Sequence, residues 1–260
     1  MTRHILFLLV ILWGFQSIAH NKEMVRIPAG PFTMGSQEGG EDERPAHTVT
    51  LSAFEIDRYQ VTNAEFAAFL QQHGTQDALG QRHYDWDDGD ARIHQVNGQW
   101  RADPGFEDHP VVEASWWGAL SYCRSVGKRL PTEAEWEKAA RGTDGRRYPW
   151  GNTAPSANQA RFASGWNDTV PVDTYRSQPS PYGVVGMAGN AWHWVSSAYR
   201  PYPYREDDGR EDITPGPVRA TRGGGHDASA EKLRVTERGR TLSRAPAAGH
   251  HNIGFRCAKH

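Results

Sequence analysis

Cysteine is almost missing from this chain of 260 residues, which contains only Cys123 and Cys257. Neither stands in a Cys-x-x-Cys pair or beside a histidine, so thiol chemistry lacks the neighbours that lower a thiol's pKa. An excess of charge is missing as well. The net charge is −2, which gives no electrostatic ground for expecting nucleic acid or an anionic membrane as partner. Hydrophobic residues make up only 37%, and no apolar run reaches the roughly 20 residues of a spanning helix. No internal repeat and no linker-like stretch divides the chain, which argues for one sizeable domain.

What is present is glycine, proline and aromatics. Twenty-seven glycines and 16 prolines argue against a helix bundle and for short elements among many turns. Ten tryptophans and nine tyrosines supply large surfaces to bury, which excludes disorder. The N-terminus reads as an export signal. Arg3 and His4 lead into an apolar run from Ile5 to Phe15, and Ser17-Ile18-Ala19 follows as a small-x-small cleavage pattern. Residues 1–19 are therefore expected to be a signal peptide and 20–260 the mature domain. The protein is then periplasmic or secreted, with no membrane contact after cleavage. In that oxidising compartment an even cysteine count favours one disulfide, the alternative being two buried free thiols.

Local patterns predict a mixed α+β chain. Met24 to Met34 reads as a strand pair around a turn at Pro28 to Pro31, and His47 to Leu51 alternates as a strand. Thr62-Asn-Ala-Glu65 and Thr132-Glu-Ala-Glu135 are capping boxes, and Ser115 opens a third helix between them. Gly74, Gly142 and Gly127 stand as the respective stops. Strand-like pieces follow at Thr169 to Val172, Val218 to Arg222 and Ile253 to Ala258.

Most charged clusters have plain structural explanations. Asp85 to Asp90 misses the ligand spacing of an EF-hand, and Glu38, Glu41, Asp42 and Glu43 read as a solvated acidic turn. Glu135 belongs to its capping box, and acids in a helix's first turn suit its dipole. Gly223 to Gly225 serves a tight turn or a close approach rather than a phosphate loop. Past it stand His226, Asp227, Glu231, Arg234, Glu237 and Arg238, a polar set dense enough to bind a metal or move protons.

The stretch Gly127-Lys-Arg-Leu-Pro-Thr-Glu-Ala-Glu-Trp-Glu-Lys-Ala-Ala-Arg-Gly142 resembles the formylglycine-generating-enzyme (sulfatase-modifying factor) family. Phe54 to Asn63, His109 to Val112, Tyr148 to Asn152, Gly186 to Trp194 and Asn252 to Ala258 follow its pattern in order. The resemblance covers residue 24 to the end. It implies a C-type-lectin-like α+β fold with much irregular backbone, and a Cys123–Cys257 disulfide. It does not carry the family's activity. The enzyme's two copper-holding cysteines follow its Arg-Gly-Gly segment, whereas Arg222 to Arg238 here has none, and soft cuprous ion needs such ligands. Copper and formylglycine generation are not expected. Calcium is expected only at a weakened site. Gly186 and His193 stand where the family has oxygen ligands, leaving Asn190, with Asn158 corresponding to a ligand of a second site.

Two functions fit these residues. One is oxidative maturation of a periplasmic small molecule or protein, as cysteine-free relatives do for siderophore chromophores. His226 with Glu231 or Glu237 would then be acid–base groups, and Arg234 would hold an anionic group. The other is a non-catalytic binding module built on the lectin-like frame.

Overall fold

The computed structural model describes residues 23–239 and 246–260. The expected signal at 1–19 lies outside the described residues. Among those described, no helix is long and apolar enough to cross a membrane.

The first two strands, β1 (Met24–Ile27) and β2 (Gly30–Met34), do not pair with each other as the sequence suggested. β1 runs antiparallel to β4 (Phe54–Asp57), and β2 to β3 (His47–Leu51). Proline at Pro28 and a left-handed Gly30 (φ 125°) throw the chain into a second sheet rather than back along the first.

The three helices form where their caps announce them. They are α1 (Asn63–His73), α2 (Trp116–Ser125) and α3 (Glu133–Arg141). Thr62 and Thr132 accept from the N3 amides, and Glu65 and Glu135 return the bond to the cap amides. Gly74 and Gly142 end α1 and α3 at φ 76° and 71°, where a side chain would be strained. Between α1 and α2, β5 (Ile93–Val96) and β6 (Gln99–Ala102) form a hairpin over Asn97-Gly98, both with positive φ. Thr169 to Val172 is not a strand. The Asn190 side chain takes the place of a partner strand, accepting from Val170 N and donating to Val170 O at 2.9 Å each.

The element that positions the site is β7 (Trp192–Ala198), flanked by antiparallel β8 (Arg219–Arg222) and parallel β9 (Ile253–Phe255). Its two faces enter different apolar clusters. Trp192 and Trp194 join Trp116, Phe66 and Phe255, while Val195 packs with Trp136, Ile56 and Met187. Strand β10 (Ala258–Lys259) closes the chain against β4. Cys257, immediately before it, is joined to Cys123 of α2 by a disulfide. The register pairs His193 with Arg222 and Trp192 with Ile253. The end of β8 and the starts of β7 and β9 therefore lie at one edge of this sheet. The segments 223–227, 189–191 and 250–252 converge there.

Candidate functional site

At that edge, Gly223 (φ 102°) and Gly224 (φ 77°) turn the chain sharply, and a Cβ at Gly224 would lie 2.9 Å from the Lys232 carbonyl. The turn delivers His226 onto the backbone of Asn190. His226 N and Nδ1 both donate to Asn190 O, at 2.8 and 3.0 Å. A carbonyl only accepts, so Nδ1 carries the proton and Nε2 keeps a free lone pair. The His226 side chain is fully buried, and Nε2 finds no partner among the described residues. Burial holds this imidazole below its ordinary pKa, so it is neutral near pH 7.

Asp227 and His251 complete a small cluster with His226. Asn252 Nδ2 donates to both Asp227 carboxylate oxygens, at 3.2 and 3.0 Å, and His251 Nε2 lies 3.3 Å from Oδ2. The bond from His251 lowers the Asp227 pKa despite partial burial. The His251 ring stacks on Trp166, with centroids 3.6 Å apart, and Trp166 Nε1 donates to Asp90 at 2.8 Å.

Asp227 and Asn252 also line a cleft of about 450 Å³, together with Trp192, Glu43, Arg234 and Glu237. Its charges are matched within the chain. Arg234 makes a bidentate pair with Glu43, both bonds 2.7 Å, and bonds Glu237 at 2.7 Å. Burial opposes the charge on Arg234, but these two carboxylates outweigh it and its pKa rises. Lys232 also bonds Glu237. Glu43 is therefore a buried ion-pair partner rather than part of a solvated turn. Behind the cleft, Glu133 and Glu137 share a buried face of α3. Arg222 bridges them at 3.0 and 2.6 Å, and Arg238 grips Glu133 at 2.7 and 3.0 Å. Burial alone would raise the Glu133 pKa, yet the two guanidiniums hold it down.

The candidates from the sequence thus fall in different places. Arg234 and Glu237 are in direct contact in the cleft. His226 is buried at its edge beside Asp227. Glu231 is exposed in the 3-10 turn Ala230–Leu233, and its carbonyl accepts from Arg234 Nε. Asn190 is in contact with His226, and its side-chain amide is used on Val170. Asn158 is exposed in the turn before Gln159. His251 was not singled out from the sequence. The run His250-His251-Asn252 just before the terminal motif was the available signal.

The copper of the family does not fit this chain. Both cysteines are buried and spent in one disulfide, so no thiolate is on offer. The weakened calcium position holds Arg256 instead, which donates to Val185 O at 2.7 Å and Gly186 O at 3.2 Å and approaches His193 Nε2 at 3.3 Å. Burial and this guanidinium push the His193 pKa well below its ordinary value, and a second cation would meet repulsion there. A separate acidic group, Asp88, Asp90 and Glu113, has carboxylate oxygens within 4.8 Å of one another.

A family model described as the sulfatase-modifying factor enzyme 1-like domain matches residues 15–260. The serine/threonine-protein kinase pkn1 of Chlamydia caviae is 39% identical over 245 residues, spanning 91% of this chain but 38% of its own. The chain thus corresponds to well under half of that relative. The formylglycine-generating enzyme of Streptomyces coelicolor is 36% identical, over 90% of this chain and 88% of its own. Among solved structures, PvdO from Pseudomonas aeruginosa aligns with a TM-score of 0.71 and 30% identity, over 91% of this chain and 93% of PvdO. With its α+β, C-type-lectin-like architecture and a match over nearly all its length, the chain belongs to the sulfatase-modifying factor enzyme 1-like family that includes formylglycine-generating enzymes.

Proposed function

We propose that this chain is an exported maturation enzyme that oxidises a periplasmic small molecule or protein without a copper–thiolate centre. The observation that carries it is the cleft following the Gly223 turn. It holds Glu237 fixed between Arg234 and Lys232, with Asp227 and the neutral His226 at its edge. Fixed carboxylates beside a neutral imidazole are suited to taking protons from a substrate as it is oxidised. Arg234 lines the same cleft with Nε, Nη1 and Nη2 engaged by Glu231 O, Glu43 and Glu237, so one Nη1 hydrogen is left for an anionic group. Glu231 and His226 both stand outside the lining, so of the proposed acid–base groups Glu237 is the one a substrate in the cleft would meet, with buried His226 behind Asp227. The cysteine sulfurs, those of Cys123 and Cys257, are buried in their disulfide, so the two electrons and two protons leaving the substrate would pass to an external two-electron acceptor such as dioxygen, which becomes hydrogen peroxide.

The test is a deletion strain whose periplasmic metabolites and proteins are compared with the parent by mass spectrometry. A species heavier by two hydrogens should accumulate, disappear on complementation with the wild-type gene, and persist with Glu237→Gln. An unchanged set of reduced and oxidised species would overturn the reading.

A binding module is favoured by one specific feature, the internal matching of the cleft's charges, since Arg234 already spans two carboxylates. Saturable binding of a periplasmic ligand that emerges with its mass unaltered would support that alternative.

A further inference from the structure

We propose that His226, Asp227 and His251 form a binding site for one borderline divalent transition ion of the zinc or ferrous class. The ligand atoms these three side chains offer all lie within 4.8 Å of one another. Donors bound at about 2.0–2.2 Å to one ion stand about 3–4 Å apart, so a contraction of at most about 1–2 Å closes the set. Two imidazoles and one carboxylate suit such ions, whereas calcium prefers oxygen throughout.

The cluster differs from an ordinary salt bridge in the state of His226. Buried ring nitrogens without a partner also occur at His83 Nε2 and His193 Nδ1, but among the described residues only His226 has both a carboxylate and a second imidazole within ligating reach. Here Nε2 is fully buried and has no partner among the described residues, while Nδ1 is fixed as a donor by Asn190 O at 3.0 Å. That is the arrangement in which a backbone carbonyl sets the tautomer of a metal-binding histidine. The other two donors are also held from behind. Asn252 Nδ2 braces Asp227 at 3.0 and 3.2 Å, and Trp166 stacks on His251. The 3.3 Å approach of His251 Nε2 to Asp227 Oδ2 would be replaced by shared ligation, with loss of the proton between them. Three protein ligands leave coordination open, as in catalytic rather than structural sites. Asp227, at 31% side-chain exposure, lines the cleft, so the open side is reachable from it.

The assignment stands apart from the maturation reading, because binding is measured without any turnover. The full chain, stripped with chelator, is titrated with Zn²⁺ by calorimetry and with Co²⁺ by visible absorption. One ion per chain is expected, at micromolar affinity or tighter. Affinity should fall at least 100-fold in His251→Ala and in Asp227→Ala. His251 is partly exposed, so its variant keeps the test valid even if substitution of buried His226 prevents folding. His94→Ala, a half-exposed histidine of β5 facing Asp103, should bind as the wild type does. Failure to saturate at one ion per chain overturns the assignment. So does undiminished affinity in both the His251 and Asp227 variants.

Discussion

At the residue scale, Glu113 shows most directly how this fold uses charge against itself. Its side chain is 3% exposed, its backbone is left-handed at φ 61°, and Asp88 and Asp90 stand close by. Burial, with those like charges added, pushes its pKa up to about 8. The folded chain therefore keeps a proton that the unfolded chain releases near 4.5, so stability falls as pH rises between those values, by at most about 1.4 kcal/mol per unit. The lowered histidines His109, His193 and His226 work in the opposite direction, and their effect is largely complete by pH 7. Urea unfolding in chelator should show wild type losing about 1 kcal/mol between pH 7 and 8, with Glu113→Gln removing that slope. Parallel profiles for the two proteins would contradict the assignment. Little of this was legible beforehand. Glu113 is 23 positions from Asp90 and 25 from Asp88, and only the folded chain sets them side by side. The same holds for Glu43 and Arg234, 191 residues apart. Residues near each other in sequence, such as His226 and Asp227, could be flagged as a polar set. Their third partner, His251, stands 24 residues beyond Asp227.

At the element scale, the legible parts were those whose signal is local. Capping boxes and stop glycines located α1 and α3 because each motif satisfies its own terminal amides within four residues. The β5–β6 hairpin carried an equally local mark, Asn97-Gly98 between two short runs, and its left-handed turn residues suit that dipeptide. The long polar stretch around it masks that mark. Thr169 to Val172 had strand-like composition but no strand partner, and the Asn190 side chain supplies the bonds instead. Helix α3 shows how differently two of its acids are used. Glu135 caps the helix and pairs with partly exposed Arg129, whereas Glu137 is buried against Arg222, Gly35 N and Arg141. Removing the cap bond by Thr132→Ala should cost about 1 kcal/mol. Glu137→Gln, which leaves Arg222 and Arg238 to share Glu133 and the buried network one positive charge in excess, should cost about 3–5 kcal/mol. Chemical unfolding of both variants measures the difference, and similar costs would mean that the buried network relaxes or admits water.

At the scale of the whole molecule, the fold is held by connections between distant ends rather than by regular structure. Strand β4 has β1 on one side and β10, the C-terminus, on the other. Arg256 donates to the carbonyls of Asp57, Arg58, Val185 and Gly186, which joins three separate stretches of chain. The Cys123–Cys257 disulfide belongs to the same set, closing a separation of 134 residues between α2 and the last strands. In the chain-entropy account a loop of that length contributes roughly 4–5 kcal/mol by restricting the unfolded chain. Both sulfurs are fully buried in the cluster of Phe66, Tyr122 and Phe255. A mild reductant should therefore act on the bond only after the chain opens, and the disulfide serves as a brace and not as an electron carrier. The double variant Cys123→Ala with Cys257→Ala separates these roles. Its thermal midpoint should drop by several degrees or more, since 1 kcal/mol corresponds to about 2–4 °C in a domain of this size. Zn²⁺ binding, read below that midpoint, should remain within about twofold of wild type, because His226, Asp227 and His251 are braced by Asn190, Asn252 and Trp166 rather than by the sulfurs. A folded double variant that retained its stability but lost the ion, or lost maturation in the complemented strain, would place the disulfide inside the chemistry and require the cleft to be reread as a thiol-dependent site.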